Sequence, residues 1–271
     1  MSTGRFTDVL KTAAMQARLC RATYEGRSAV YDLATQVGAN FRYFHSAYVT
    51  GAVLGFDDHC HVSVIGTNDR HDWLQNLSAN LDDRDDFPMH RGFRRSSELF
   101  YDALMRSGAP KLWASRRLYL GGHSAGGAIA AAISSPIIAP QVCPDEVYTF
   151  GAPRVFSPKL AAKYATSGLP MYRFVMPGDP VPRLPLRKFR QLFGGASYAH
   201  AGIEMRLHDD GTIETEAPSS CVERFWRAFG VIGIYSLLNL TPWRLLPTLI
   251  ERHHIARYQV ALNEAIAKVD Q

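Results

Sequence analysis

The sequence predicts an α/β protein with a mostly parallel central sheet and helices on both faces. Three observations predict it. Apolar runs of strand length alternate with stretches of helical periodicity along most of the chain. A length of 271 residues, 46% hydrophobic and 20% charged, suits one large core, so residues 1–271 read as a single domain. The stretch RRLYLGGHSAGGAIAAAI, residues 116–133, carries an apolar strand through a glycine-flanked serine, Ser124, directly into a small-residue helix.

The elements follow in order. Phe6, Val9, Leu10, Ala13, Ala17 and Cys20 recur at helical spacing, so the N-terminal stretch reads as an amphipathic helix of the domain. Residues 28–38 form a second helix, with Ser28 as its cap and Gly38 as its stop. YVTGAVLGF and CHVSVIGT, joined by DDH, read as two strands with a tight connection. A polar loop precedes the helix over 91–107, which sets Phe93, Leu99, Phe100, Ala103 and Leu104 near one face and stops at Gly108. After the strand and helix around Ser124, EVYTFGAPRV and MYRFVMPGDPVPRLP are short β-rich runs ended by Gly or Pro. GIEMRLHDDGTIETE reads as a hairpin, and a last helix from about 254 to 268 aligns Ile255, Tyr258, Leu262 and Ala265.

Composition narrows the function. A formal net charge of +5 favours an anionic surface such as a membrane, but the basic residues are scattered, which argues against nucleic acid as a partner. Cys20, Cys60, Cys143 and Cys221 are far apart, with no spacing suited to a metal, so free thiols in a reducing compartment are expected. No secretory leader is visible, and the most apolar segment, residues 230–240, is shorter than the roughly 20 residues of a membrane span. A cytoplasmic location is expected, with peripheral membrane association or non-classical export as alternatives. Neither a cofactor nor a metal is expected.

The chemistry centres on Ser124. A serine hydroxyl needs a base to take its proton and a carboxylate to orient that base, and in this architecture they follow in the order Ser, acid, His. Asp179 follows the strand YRFVM through a Pro-Gly turn, whereas Asp145 precedes its strand and Asp209 and Asp210 lie in a hairpin turn. Of the histidines after Asp179, His200 and His208 belong to the hairpin region, leaving His253 and His254 before the last helix. Residue logic does not choose between these neighbours. The oxyanion donors are expected from the backbone of Ala125, after the serine, and of Thr67, after the strand ending at Gly66.

Together these segments resemble the class 3, fungal-type triacylglycerol lipases of the α/β-hydrolase superfamily, from about residue 60 to 263. The resemblance rests on VIGTNDRHDWLQNL, MHRGF, GGHSAGG, VYTFGAPRV, YRFVMPGDPVPRLP and YAHAG. It implies Ser124 as nucleophile, Asp179 as acid, Thr67 and Ala125 as oxyanion donors, and His253 as base through its spacing to Tyr258; shorter spacing in some members keeps His254 open. His200 matches a position that is not the base. Two features depart from the pattern: Ile65 stands where the family often has Arg, and an apolar insertion occupies about 225–250, with Trp226 and Trp243. Residues 68–77 correspond to the lid of fungal relatives, with Trp73, Leu74 and Leu77 on an apolar side.

The function these readings imply is a serine carboxylic-ester hydrolase, a lipase or esterase, cleaving acylglycerols or related lipid esters through an acyl-enzyme, with a lipid or other ester as partner, met at a lipid–water interface. Phospholipase A1 or short-chain carboxylesterase activity is the alternative, since the pocket rather than the triad sets preference. A non-catalytic lipid-binding protein is a third reading, and it would be marked by a missing triad member.

Overall fold

The computed structural model describes residues 2–46, 49–66, 81–82, 87–185, 197–215 and 251–270. The chain opens with helix α1 (Thr3–Glu25) and helix α2 (Arg27–Val37). Val9, Leu10, Ala13, Ala17 and Cys20 of the expected stripe on α1 are buried. Gly38 closes α2 in the left-handed conformation at φ 69°. The start differs from expectation: Gly26 holds the cap position and Ser28 lies one residue inside the helix.

Strands β1 (Asn40–His45), β2 (Val49–Gly55) and β3 (His59–Gly66) follow, each antiparallel to its neighbour. Strand β1 was not expected from the sequence, and the reason is physical. Phe41 and Tyr43 pack on the cluster of Leu19, Val30 and Leu54, while Phe44 points the other way, its ring 5.3 Å from that of Phe100. With apolar residues on both faces, the period-two alternation that marks a half-buried strand is lost.

A short pair, β4 (Leu81–Asp82) and β5 (Met89–His90), leads into α3 (Arg91–Arg106) and a single turn α4 (Pro110–Trp113). The parallel core follows: β6 (Arg117–His123), α5 (Ala125–Ile133), β7 (Glu146–Phe150), α6 (Pro158–Ala165) and β8 (Met171–Val175). The hairpin β9 (Ile203–Leu207) and β10 (Ile213–Thr215) and helix α7 (Ile255–Val269) complete the chain. The eight-stranded sheet has the order β1-β2-β3-β6-β7-β8-β9-β10 and is parallel from β3 to β9. Helices α3 and α5 pack on one face around Phe100, Ile129 and Val64; α1 and α7 pack on the other around Leu10, Phe150 and Leu262. The expected layering is observed.

One buried polar pair ties α1 to the sheet. Gln16 donates to the Val62 carbonyl at 2.5 Å and accepts from Nδ1 of His61 at 2.8 Å. Burial pushes the His61 imidazole down to about 3, so it folds neutral. The unfolded chain takes up this proton near pH 6.5 and the folded chain only near pH 3, so stability falls as pH drops through that window, by up to about 1.4 kcal/mol per pH unit from this group. Urea midpoints between pH 7 and 4 are expected to show this slope, and His61→Gln, which keeps a donor for Gln16, is expected to flatten it.

Candidate active site

Four central strands end in register: Ile65 of β3 pairs with His123 of β6, His123 with Phe150 of β7, and Phe150 with Phe174 of β8. The ladder continues one residue beyond, where the Ser124 N–H donates to the Phe150 carbonyl at 2.9 Å and the Gly151 N–H to the Phe174 carbonyl at 3.0 Å. Ser124, Gly151 and the turn after β8 therefore share the carboxyl edge of the sheet, where open α/β sheets bind their ligands.

Ser124 turns the chain from β6 into α5 at φ 57° and ψ −130°, a conformation costly for a residue with a Cβ. Glycines make the turn passable. A Cβ on Gly126 would lie 2.1 Å from the Val64 carbonyl oxygen, and one on Gly122 would lie 2.3 Å from the Gly126 carbonyl oxygen. Nothing larger than hydrogen fits where strand and helix pass. Ala125 is the first residue of α5, so its N–H belongs to the helical turn without intrahelical acceptors, where the helix dipole favours negative charge.

Asp179 sits in the turn after β8 and is 1% exposed. Its Oδ1 accepts from the Val181 N–H at 2.9 Å; its Oδ2 accepts from Nδ1 of His253 at 2.8 Å and from the Tyr258 hydroxyl at 2.6 Å. Tyr258, on the first turns of α7, also accepts from the Met176 N–H at 3.2 Å. Burial and the neighbouring Asp179 carboxylate hold its phenol well above the usual range, so it stays a donor. The second ring nitrogen of His253, Nε2, is buried and makes no hydrogen bond among the described residues, Ser124 included. Such contacts commonly tighten only with substrate bound.

The two neighbouring histidines part ways. His253 meets Asp179, whereas His254 caps α7, its Nδ1 accepting from the Ala256 N–H at 3.3 Å. Asp145 binds the Leu118 N–H at 2.7 Å at the opposite end of the sheet, and His208 pairs with Glu214 at 3.2 Å. Thr67, the candidate lid 68–77 and the insertion at about 225–250 lie outside the described residues. The pairing of Ile65 with His123 does carry the end of β3 to the Ser124 edge.

Sequence reasoning missed several supports. Gly151 adopts φ 60°, and a Cβ there would lie 2.8 Å from Asp179 Oδ2 and 2.9 Å from the His253 ring. The signal was present, because Gly151 ends the strand EVYTF as Gly178 ends the turn before Asp179. Gly151→Ala is expected to lower activity by about a hundredfold by parting acid from base, an ångström-scale misplacement; steady-state kinetics on the folded variant checks it. His123 supports His253 from behind. Its Nε2–H donates to the His253 carbonyl at 2.6 Å while its Nδ1 accepts from the Tyr24 hydroxyl at 3.0 Å, and the two imidazoles lie 4.7 Å apart. The hairpin acid Asp209 pairs with Arg257 at 3.1 Å and approaches Arg252 at 3.9 Å, on either side of the histidine pair.

Among the described residues, no group of three or more His, Cys, Asp or Glu is arranged to hold a metal, and no helix is long and apolar enough to cross a membrane. What the arrangement can do is acyl chemistry: a strained serine, an imidazole oriented by a buried carboxylate, and a helix N-terminus share one edge.

Residues 61–189 match the family model for class 3 lipases. Among solved structures, lipase II from Rhizopus niveus aligns with TM-score 0.59 and 23% identity, over 76% of this chain and 82% of that one. The Rhizomucor miehei lipase propeptide complex aligns with TM-score 0.60 and 21% identity, over 81% and 74%. A triacylglycerol lipase described as having a serine protease triad at its catalytic centre aligns with TM-score 0.57 and 20% identity, over 81% and 88%. At these identities the structural likeness speaks for the α/β-hydrolase fold.

Proposed function

We propose that this chain, whose residues 61–189 match the family model of the class 3 lipases, is a lipid-ester hydrolase acting on acylglycerols at a lipid–water interface, with Ser124, Asp179 and His253 as its catalytic triad. The observation that carries the reading is the Asp179–His253 contact of 2.8 Å at the same sheet edge as the strained Ser124. The triad described for the similar triacylglycerol lipase supports it further.

In this mechanism Ser124 Oγ attacks the ester carbonyl carbon and its proton passes to His253 Nε2. Asp179 holds the imidazole with Nδ1 protonated and stabilises the imidazolium that forms. The oxyanion accepts hydrogen bonds from the backbone N–H groups of Ala125 and Thr67, each worth about a hundred- to a thousandfold in rate. His253 then gives its proton to the departing alcohol, leaving an acyl-enzyme. Water, deprotonated by His253, attacks that ester and releases the acid. No cofactor enters the cycle.

A substrate panel tests the reading: short-chain p-nitrophenyl esters, emulsified triacylglycerol and phospholipid vesicles, with labelling by a serine-reactive phosphonate. The highest rate on emulsified triacylglycerol, with label on Ser124, is expected. Preference for vesicles or for soluble short esters would make it a phospholipase A1 or a carboxylesterase instead; vesicle binding without labelling or hydrolysis would sink the enzymatic reading.

A further inference from the structure

The motif YAHAG contains a histidine, His200, to which the mechanism gives no role. Its place in the structure suggests one. The acid loop from Pro177 to Pro185 carries Asp179 through a 3-10 turn, Val181–Arg183, and its carbonyl groups point at side chains from other elements. His200 Nε2–H donates to the Pro182 carbonyl at 2.6 Å. Arg154, from the loop after β7, donates to the Pro185 carbonyl at 2.9 Å and also to the Arg183 carbonyl. Arg252, next to the base, donates to the Pro177 carbonyl at 3.1 Å. Within the turn the Asp179 carboxylate accepts from the Val181 N–H, and the Asp179 N–H donates to the Met176 carbonyl at 3.1 Å. Besides its contacts with His253 and Tyr258, the carboxylate is aimed by a backbone that is gripped from outside.

We propose that His200, together with Arg154, is a positioning residue for the acid: the two clamp the carbonyl groups of Pro182, Arg183 and Pro185, and so hold the Asp179 carboxylate against His253. The clamp requires a neutral imidazole that donates through Nε2. Burial, with the cations of Arg173 and Arg154 beside it, holds His200 well below the ordinary histidine range, so the donor persists through the neutral and mildly acidic range. A lost donor leaves a loop carbonyl without its partner and lets the turn drift, and drift of about an ångström at a catalytic group is costly. The inference rests on the triad proposed above, but its test does not depend on catalysis alone.

The experiment compares H200F, which keeps the ring shape without the donor, with H200Q, whose amide can place an N–H near the same point. In H200F, kcat is expected to fall about tenfold with KM unchanged. The acid limb of the kcat profile is expected to move to lower pH, because a carboxylate held less closely stabilises the His253 cation less. The downfield proton resonance of the His253 Nδ1–H bound to Asp179, recorded without substrate, is expected to broaden or vanish. H200Q is expected to recover most of kcat and the resonance. Should H200F not fold, R154M, which frees the carbonyls of Arg183 and Pro185, is read in the same three ways. A folded H200F with wild-type kcat, pH profile and resonance overturns the clamp, as does H200Q impaired as much as H200F. If the wild-type protein hydrolyses no ester while H200F still loses the resonance, the assigned function falls and the clamp stands.

Discussion

Ser124→Ala is expected to lower kcat on the best substrate by about a millionfold, to the level that the oxyanion donors and binding supply without a nucleophile. The fold is expected to survive unchanged. Alanine keeps the Cβ and fills less space, and among the described residues the Ser124 side chain makes no capping hydrogen bond to α5; the turn is held by its backbone N–H on the Phe150 carbonyl. A companion variant separates strain from chemistry. Ser124→Gly is expected to be as inactive as Ser124→Ala but more stable by about 1 kcal/mol, because glycine accepts φ 57° without penalty. Kinetics with thermal unfolding on the same two proteins reads both effects. A serine variant that kept its rate would remove Ser124 from the mechanism.

Asp179→Asn is the second large effect, about ten-thousandfold in kcat with little change in KM. The contacts of the carboxylate say why the substitution is not conservative. Asp179 accepts at both oxygens: from Val181 N–H at Oδ1, and from His253 and Tyr258 at Oδ2. Asparagine has one acceptor and one NH2. Turned with its oxygen toward His253 and Tyr258, it sets NH2 against the Val181 N–H; turned the other way, it sets NH2 against two donors. The second arrangement is met by moving the His253 proton to Nε2, which leaves the base unable to accept from Ser124. The first keeps the tautomer but strains the turn and removes the charge that stabilises imidazolium. Asp179→Asn with Tyr258→Phe, which deletes one competing donor, is expected to regain part of the lost stability and none of the lost charge; denaturant unfolding and kcat measured together test this.

Much of the fold was legible because its elements carry undivided patterns. The stripe on α1, the alternation of strand and helix from β6 to β8, and the hairpin turn at DDG each answer to one local rule. Strand β1 was not legible, because aromatic residues on both faces erase the alternation that would reveal it. Ser28 was misjudged as a cap because Gly26 takes that position, with its φ of 108° already breaking the chain between α1 and α2. At the site, Ser124 and Asp179 could be read from turn chemistry beside a strand. The supports of His253 could not. Tyr24 and His123 lie far from it in sequence and become its neighbours only once α1 and α7 pack on the same face of the sheet. A side chain's partner across 99 or 130 residues leaves no local trace.

The docking of α7 sets the place of His253 from a distance. His253 reaches Asp179 because Tyr258 pins the helix that follows it to the same carboxylate, and Ile255 and Leu262 seat that helix in the core. The address of the base is thus written downstream of it. A packing change at Ile255 or Leu262, remote from the carboxylate, is thereby passed to the imidazole as a shift of the whole helix.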